Sequence, residues 1–282
     1  MSSIINTNIA ALTSQRNLNK TSLDLSTSME RLSSGLRVNS AKDDAAGLAI
    51  SNRMTSQIRG MTVATRNAND GISLAQTAES AMGTMTETMQ RMRDLAVQAA
   101  NDAGLSGADK DKLQTEFKQL NDELVRIIGN TQFNGKGIIS GSLASGIAVQ
   151  VGANTTADNQ ISIQIGDLLS AISQTNTVTT ASIGANASVT DVLSAINQID
   201  AAIQTIDTAR AKLGAVQNRF TTTIGNLQSS IENQSAARSR ILDADFAMET
   251  ASLSRSQILQ QAGTAMLAQA NQSPQSVLKL LQ

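Results

Sequence analysis

The sequence predicts a mainly α protein, a long coiled-coil or helical-bundle rod with a small β-hairpin region. Three observations carry that prediction. Apolar or small side chains recur at alternating spacings of three and four near both termini and through two long central stretches, the pattern of helices packed along their lengths. Only residues 130–187 abandon that rhythm. The 282 residues contain one proline, the residue least compatible with a helix interior. Helices this long are not expected to close a compact globule, and rods with self-adhering ends are building material.

The elements follow in order. Residues 1–36 read as a helix with Leu18, Ser22, Leu25, Met29, Leu32 and Leu36 in a 4-3 register, ended by Gly35 and Asn39. Ser40 and Asp43 make an S-x-x-D capping signal for a helix running to about Ala100. Its seam is Met54, Met61, Ala64, Ala68, Gly71, Ala75, Ala78, Met82, Met85, Met89, Met92, Ala96 and Ala99. Gly60, Gly71 and Gly83 are its expected weak points. The methionine stripe reads as core, because Met fills irregular gaps. Residues 101–107 form a turn, and Ser106 is placed to cap a helix over 107–128. That helix carries Leu113, Phe117, Leu120, Leu124 and Ile127 on one face and is closed by Gly129 as its C′ residue.

Within 130–187, the segments IAVQVG (147–152) and QISIQI (160–165) alternate apolar and polar with period two, as a hairpin or two adjacent short strands. Residues 173–190 are rich in Ser and Thr and low in charge; they read as an exposed irregular loop or as a surface suited to O-linked sugar. The Asn-x-Thr at Asn154 is read as a chance match. A long helix then runs from about Ser188 to the low 240s. Its seam is Val192, Ile196, Ile199, Ile203, Ile206, Arg210, Leu213, Gln217, Phe220, Ile224, Leu227, Ile231, Gln234, Arg238 and Ile241; eleven of these fifteen are apolar. Residues 242–272 form a further helix with Leu253, Ile258, Ala262, Ala265 and Met266 near one face, and Pro274 suits the first turn of a last short helix. The apolar tail Val277, Leu278, Leu280 and Leu281 needs a cover. So does the N-terminal helix, which is marginal alone. Pairing of the two ends, with each other and with copies from neighbouring molecules, satisfies both.

Composition excludes most chemistry. Cys and His are both absent, which removes disulfides, thiolate catalysis, His-based triads and ordinary zinc sites. No Trp or Tyr and only four Phe leave no stacking platform for bases or sugars. Basic and acidic residues number 22 and 23 and are intermixed, so nucleic acid is not an expected partner. No run of 18 apolar residues spans a membrane. The N-terminus lacks the basic n-region and continuous apolar h-region of a Sec signal. No catalytic, cofactor-binding or metal site is expected, and the chain does not read as an enzyme. The 130–187 zone, where a catalytic insert would sit, has almost no acidic residues.

Several segments resemble bacterial flagellin: SSGLRVNSAKDDAAGLAISNRM (33–54), QRMRDLAVQAAN (90–101), TQFNG (131–135) and ILDADFAMETASLSRSQILQQAGTAMLAQANQSPQSVLKLL (241–281). They stand in flagellin order at flagellin's two ends, and the resemblance covers about residues 1–140 and 188–282. The middle is short for that family.

What the resemblance implies is a flagellar filament subunit that self-assembles into a hollow helical tube for motility; a hook–filament junction protein is the alternative, and a free-standing adhesin a more distant one. Residues 1–40 and 243–282 would form the inner D0 helices, ordered on assembly. Residues 41–129, the short variable region 130–187 and the long helix 188–242 would form D1. The D0 subunit interface would use Leu18, Leu25, Met29, Leu32, Leu36, Leu253, Ile258, Met266, Leu267, Leu278 and Leu281. The resemblance also implies recognition by a vertebrate Toll-like receptor at Arg91, Leu95 and Glu116, by a plant receptor kinase at Glu30 to Ser51, and by cytosolic inflammasome sensors at the apolar tail. Partners would include further copies of the chain, an export chaperone, the filament cap and hook-associated junction proteins. Localisation would be extracellular, by flagellar type III export without a cleaved signal.

Overall fold

The computed structural model describes residues 7–168, 170 and 181–279, with side chains through residue 272. Among the described residues five long helices dominate: α1 (Ile9–Ser34), α2 (Ala45–Ala99), α3 (Gly107–Asn130), α4 (Val189–Leu242) and α5 (Phe246–Lys279). Between α3 and α4 lie β1 (Gln132–Phe133), β2 (Lys136–Gly137), β3 (Ile147–Gln150) and β4 (Gln160–Ile163). The chain divides into two compact units. The described residues up to Gln57 and from Glu232 onward make the terminal unit; Ile58–Ile231 make the central unit.

In the terminal unit the side chain of Asn8 accepts the Ala11 N–H at the start of α1. Gly35 ends that helix in the left-handed region at φ 70°, its N–H bonded to the Arg31 carbonyl, a conformation that favours glycine. The connector to α2 departs from the expected capping box. Asp43 accepts from the Ser40 N–H, the Ser40 hydroxyl and the Asn39 N–H, and these bonds, the Ser40 N–H foremost, hold its carboxyl below the usual range. The cap itself is Asp44, whose side chain accepts the Gly47 N–H at 2.8 Å and whose carbonyl accepts the Leu48 N–H at 3.0 Å.

The break between α4 and α5 meets this connector. Leu36 bridges Asp243, the Arg37 N–H reaches the Leu242 carbonyl, and the Ala244 N–H reaches the Gly35 carbonyl. Beyond the break, α5 is continuous through Pro274 and does not restart there. A proline without an N–H leaves the carbonyl four residues earlier, that of Ala270, without its helical donor. The Asn8 side-chain amide fills the position, donating to Ala270 O at 2.8 Å.

The central unit holds the main core. Met82, Met85, Met89 and Met92 are fully buried together with Phe117, Leu124, Ile128, Ile199, Ile206, Leu213 and Phe220. Every residue of the expected α2 seam is buried except half-buried Met54, and none of the fifteen α4 seam residues is exposed. The helix glycines expected to weaken α2 do not interrupt it, and two are points of close approach. A Cβ on Gly60 would lie 2.8 Å from Ala153 Cβ, and one on Gly71 2.8 Å from Phe220 Cζ.

Ser106 caps α3, its side chain accepting the Asp109 N–H. Ser106's hydroxyl, ahead of Lys112, holds the Asp109 carboxyl below the usual range. The far end differs from the expected Gly129 closure: α3 continues to Asn130, where the Thr131 N–H and hydroxyl both reach the Ile127 carbonyl, so no left-handed residue is required. Directly after it β1 and β2 form a hairpin that the periodicity did not predict. Asn134 (φ 50°) and Gly135 (φ 75°) supply the two left-handed positions of a primed turn.

β3 and β4 pair antiparallel from Ile147↔Ile163 to Gln150↔Gln160, as their alternation predicts, with Ile161 and Ile163 buried. Part of the segment 173–190 corrects the exposed-loop expectation. Ile183 is buried, its N–H bonded to Gln114 Oε1, and the Ala185 N–H reaches Asp111 Oδ1 at 2.9 Å. Residues 173–180 of that segment lie outside the described residues. Ser188 and Asp191 then open α4 with a reciprocal box: Asp191 accepts the Ser188 hydroxyl (2.7 Å) and N–H (3.0 Å), and returns its own N–H to the Ser188 oxygen. These bonds, the hydroxyl foremost, lower the Asp191 pKa.

Candidate functional site

The terminal helix pair is built from small residues. Along α1 the side that faces α5 carries Ala11, Ser14, Leu18, Thr21, Leu25, Ser28 and Leu32, all half-buried except buried Ser28. The facing side of α5 carries Glu249, Ser252, Ser256, Gly263, Leu267 and Ala270. A Cβ on Gly263 would stand 3.2 Å from Leu18 Cδ1, and Arg31 Nη1 lies 3.9 Å from Glu249 Oε2. With Asn8 at Ala270 and Leu36 at Asp243, partners ascend one helix as they descend the other; the pair is antiparallel.

This corrects the expected seam at alternate positions. Thr21 and Ser28 face the partner helix, whereas Ser22 and Met29 do not. Met29 fits the expected register because it is large and apolar, but the contact line follows the neighbouring small residue, buried Ser28. On α5 the same thing occurs: Ser252, Ser256 and Gly263 turn inward, while Ile258, Ala262, Ala265 and Met266 are exposed. Of the expected interface residues, Leu18, Leu25, Leu32, Leu36, Leu253 and Leu267 are half-buried within the chain, and Met29, Ile258 and Met266 stand outside. The side chain of Leu278, and the whole of Leu281, lie outside the described residues, as do the side chains of Val277 and Leu280.

The pair therefore wears most of its large apolar side chains on the outside. Ile9, Leu12, Leu23 and Met29 on α1, and Phe246, Met248, Ile258, Leu259 and Met266 on α5, are all exposed. Its interior is correspondingly polar: a cleft of about 400 Å³ is bordered by Ser28, Arg31, Glu249 and Ser256 among others, and the Arg31 Nε is buried without a hydrogen-bond partner. An unsatisfied donor of this kind is destabilising.

The second candidate site lies in the central unit. Arg91 on α2 donates from Nε (3.0 Å) and Nη2 (2.7 Å) to Glu116 Oε1 on α3, and both side chains are about half exposed. The structure thus joins two of the three expected recognition residues. It does not join the third: Leu95 is 2% exposed and belongs to the core cluster, because its position one turn beyond Arg91 falls beside the Met92 line. A neighbouring bidentate pair, Arg93 to Asp200 at 2.7 and 3.3 Å, ties α2 to α4; its only sequence signal was the heptad register that puts both outside the seam. Among the described residues no cluster of three or more His, Cys, Asp or Glu could hold a metal ion. Among the described residues no helix is long and apolar enough to cross a membrane.

Comparison with known proteins gives the same picture from both ends of the chain. The family model for the bacterial flagellin N-terminal helical region matches residues 5–144, and that for the C-terminal helical region matches residues 196–281. Flagellin of Bacillus subtilis (strain 168) is 43% identical, the match covering 98% of this chain and 99% of that protein. Flagellin D of Vibrio anguillarum is 40% identical over 98% and 99%. Among solved structures, a chain assigned to a flagellar hook-associated protein of Vibrio parahaemolyticus has a TM-score of 0.58 at 15% identity, covering 71% of this chain and 100% of that one, a likeness of fold alone. With family matches at both ends and full-length relatives at this identity, the chain belongs to the bacterial flagellin family.

Proposed function

We propose that this filament subunit polymerises through the outward apolar faces of its terminal helix pair. Flagellins are structural proteins of the extracellular filament, and this chain is a subunit of that filament with no enzymatic activity of its own. The observation that supports the surface assignment is the inversion just described, in which small residues pair α1 with α5 while Ile9, Leu12, Leu23, Ile258, Leu259 and Met266 face outward. Exposed apolar surface on paired helices is characteristic of association surfaces. Head-to-tail contacts of this kind generate an open helical polymer. On this reading residues 1–40 and 243–282 line the inside of the tube and residues 41–242 lie around them.

The test is seeded polymerisation of the purified full chain, followed by sedimentation and electron microscopy, comparing the native sequence with Ile258→Asp and Leu259→Asp. Loss of filaments with unchanged thermal unfolding of the central unit supports the outer faces; filaments at native yield from both variants overturn them.

Further partners belong to the same proposal. The chain would leave the cell by the flagellar type III route without a cleaved signal, escorted by an export chaperone at its C-terminal helix, and would meet the filament cap and hook-associated junction proteins at the filament ends. Arg91 and Glu116, paired with both side chains about half exposed, are offered to a host Toll-like receptor together with Leu95, which is buried on the same helix as Arg91. Glu30 to Ser51 and the apolar tail are offered to the plant and cytosolic sensors. Receptor-reporter assays on Arg91→Glu and Glu116→Arg, alone and together, decide the first of these: signalling unchanged by either single substitution would remove the pair from the surface.

A further inference from the structure

The chain has ten methionines, and they divide by unit. In the central unit Met61, Met82, Met85, Met89 and Met92 are buried, the last four completely. In the terminal unit Met54 is half-buried, but Met29, Met248 and Met266 are 57%, 68% and 63% exposed. Met1 lies outside the described residues. With no Cys, Trp or Tyr in the sequence, the thioether is the most readily oxidised side chain present, and accessibility decides which thioethers react.

Geometry makes the exposed three consequential. Met248 and Met266 are separated by about five helical turns, so they fall on one line of α5, and Leu259 lies within about 20° of that line. All three are exposed. Met29 stands beside the α1 seam, next to buried Ser28. These thioethers are therefore part of the outward apolar surface, not of the contact between α1 and α5.

We infer that Met29, Met248 and Met266 are sulfoxidation sites through which a peroxide switches off assembly. The inference rests on the assembly reading above. In the step itself the methionine sulfur attacks one peroxide oxygen. The O–O bond breaks and an S–O bond forms. The sulfur is oxidised by two electrons, and the other peroxide oxygen leaves as water. The product carries a strong acceptor oxygen and a new chiral centre where the apolar surface needs a flexible, apolar group. Burying that oxygen against a second copy without a donor is unfavourable, so oxidised chains are poor subunits. Chains already in a polymer are shielded, because the same surface is covered. The buried methionine stripe of α2 keeps the central unit folded throughout.

The experiment uses the full-length soluble chain treated with millimolar hydrogen peroxide, peptide mapping by mass spectrometry, and seeded polymerisation before and after treatment. A triple variant, M29L/M248L/M266L, and repair by methionine sulfoxide reductases are run in parallel. The expected result is oxidation of Met29, Met248 and Met266 well ahead of the five buried methionines, and a rise of about tenfold in the concentration needed to polymerise. Both should be reversed by the reductases, and the triple variant should resist peroxide. Equal oxidation of the α2 stripe, or an oxidised chain that polymerises as readily as the untreated one, overturns the switch while leaving the assembly reading intact. A triple variant that still loses assembly on treatment also overturns it. An untreated chain that fails to polymerise on seeds removes the assembly reading and the switch together.

Discussion

The two units of this chain solve opposite packing problems with the same heptad grammar. In the central unit the seam positions hold Met, Ala, Leu, Ile and Phe, none of them exposed and Met82, Met85, Met89, Met92, Leu124, Ile199, Ile206 and Phe220 fully buried. In the terminal unit the seam positions hold Ser, Thr, Gly and a few Leu, and the large apolar residues sit outside. The first unit has its core within one chain. The second leaves much of its large apolar surface exposed, which the proposed assembly would cover. A helix pair with a small, largely polar interior gains little from its own closure, which fits the proposal that assembly completes it.

The comparison can be broken most decisively at the seam of the terminal pair. Leu32→Asp or Leu267→Asp should abolish filaments altogether while the central unit still unfolds as a cooperative domain; sedimentation and calorimetry read both, and filaments surviving both changes would remove the pair from the assembly. Next in size, truncation should discriminate the two interiors in solution. Phe220→Ala, at a fully buried side chain, should destabilise the central unit by about 3–5 kcal/mol in denaturant unfolding, whereas Leu25→Ala at a half-buried position should leave that transition in place.

A smaller effect is expected from Gly71→Ala. Its added Cβ would press on the Phe220 ring, and overpacking of this kind costs about 1–3 kcal/mol. The smallest concerns the cap of α4. Ser188→Ala should cost about 1 kcal/mol. Acid should loosen the same helix start in the native chain. Asp191 has a lowered folded pKa, so its contribution is complete above the unfolded value of about 3.9 and is lost as pH falls through the lower folded value. Amide exchange at the start of α4 below about pH 4, compared with Ser188→Ala, measures it.

What could be read from sequence follows the same division. The α2 and α4 seams were legible position by position because burial there follows hydrophobicity. Ser106 was legible as a cap because a side chain that caps a helix does so from fixed spacing, whereas the cap that Ser188 and Asp191 form was not read. The α1 seam was half legible: Leu18, Leu25 and Leu32 were placed correctly, but the alternate positions went to Met29 in place of Ser28. A rule that rewards apolar character fails where small residues form the contact and the large apolar neighbour stands exposed. The burial of Leu95 was not legible from its recognition assignment; a heptad seam only one residue away draws it into the core. The β1–β2 turn was missed although Asn134-Gly135 is a strong hairpin signal, because strands of two residues carry no periodicity. The carbonyl freed by Pro274 needed coordinates, since nothing in the sequence says which donor will reach it.

That carbonyl bears on how two repetitive helices find their alignment. The α1 seam reads Ser14, Leu18, Thr21, Leu25, Ser28, Leu32, a pattern nearly unchanged by a slip of one heptad, so side-chain packing alone leaves neighbouring alignments close in energy. Pro274 breaks the degeneracy by opening a single unfilled rung inside α5, and Asn8 is the donor that reaches it. A slide of one heptad, about 10 Å, would carry the amide past that rung and leave the acceptor empty. The only proline in the chain works as an index mark, telling two otherwise sliding rulers where zero is.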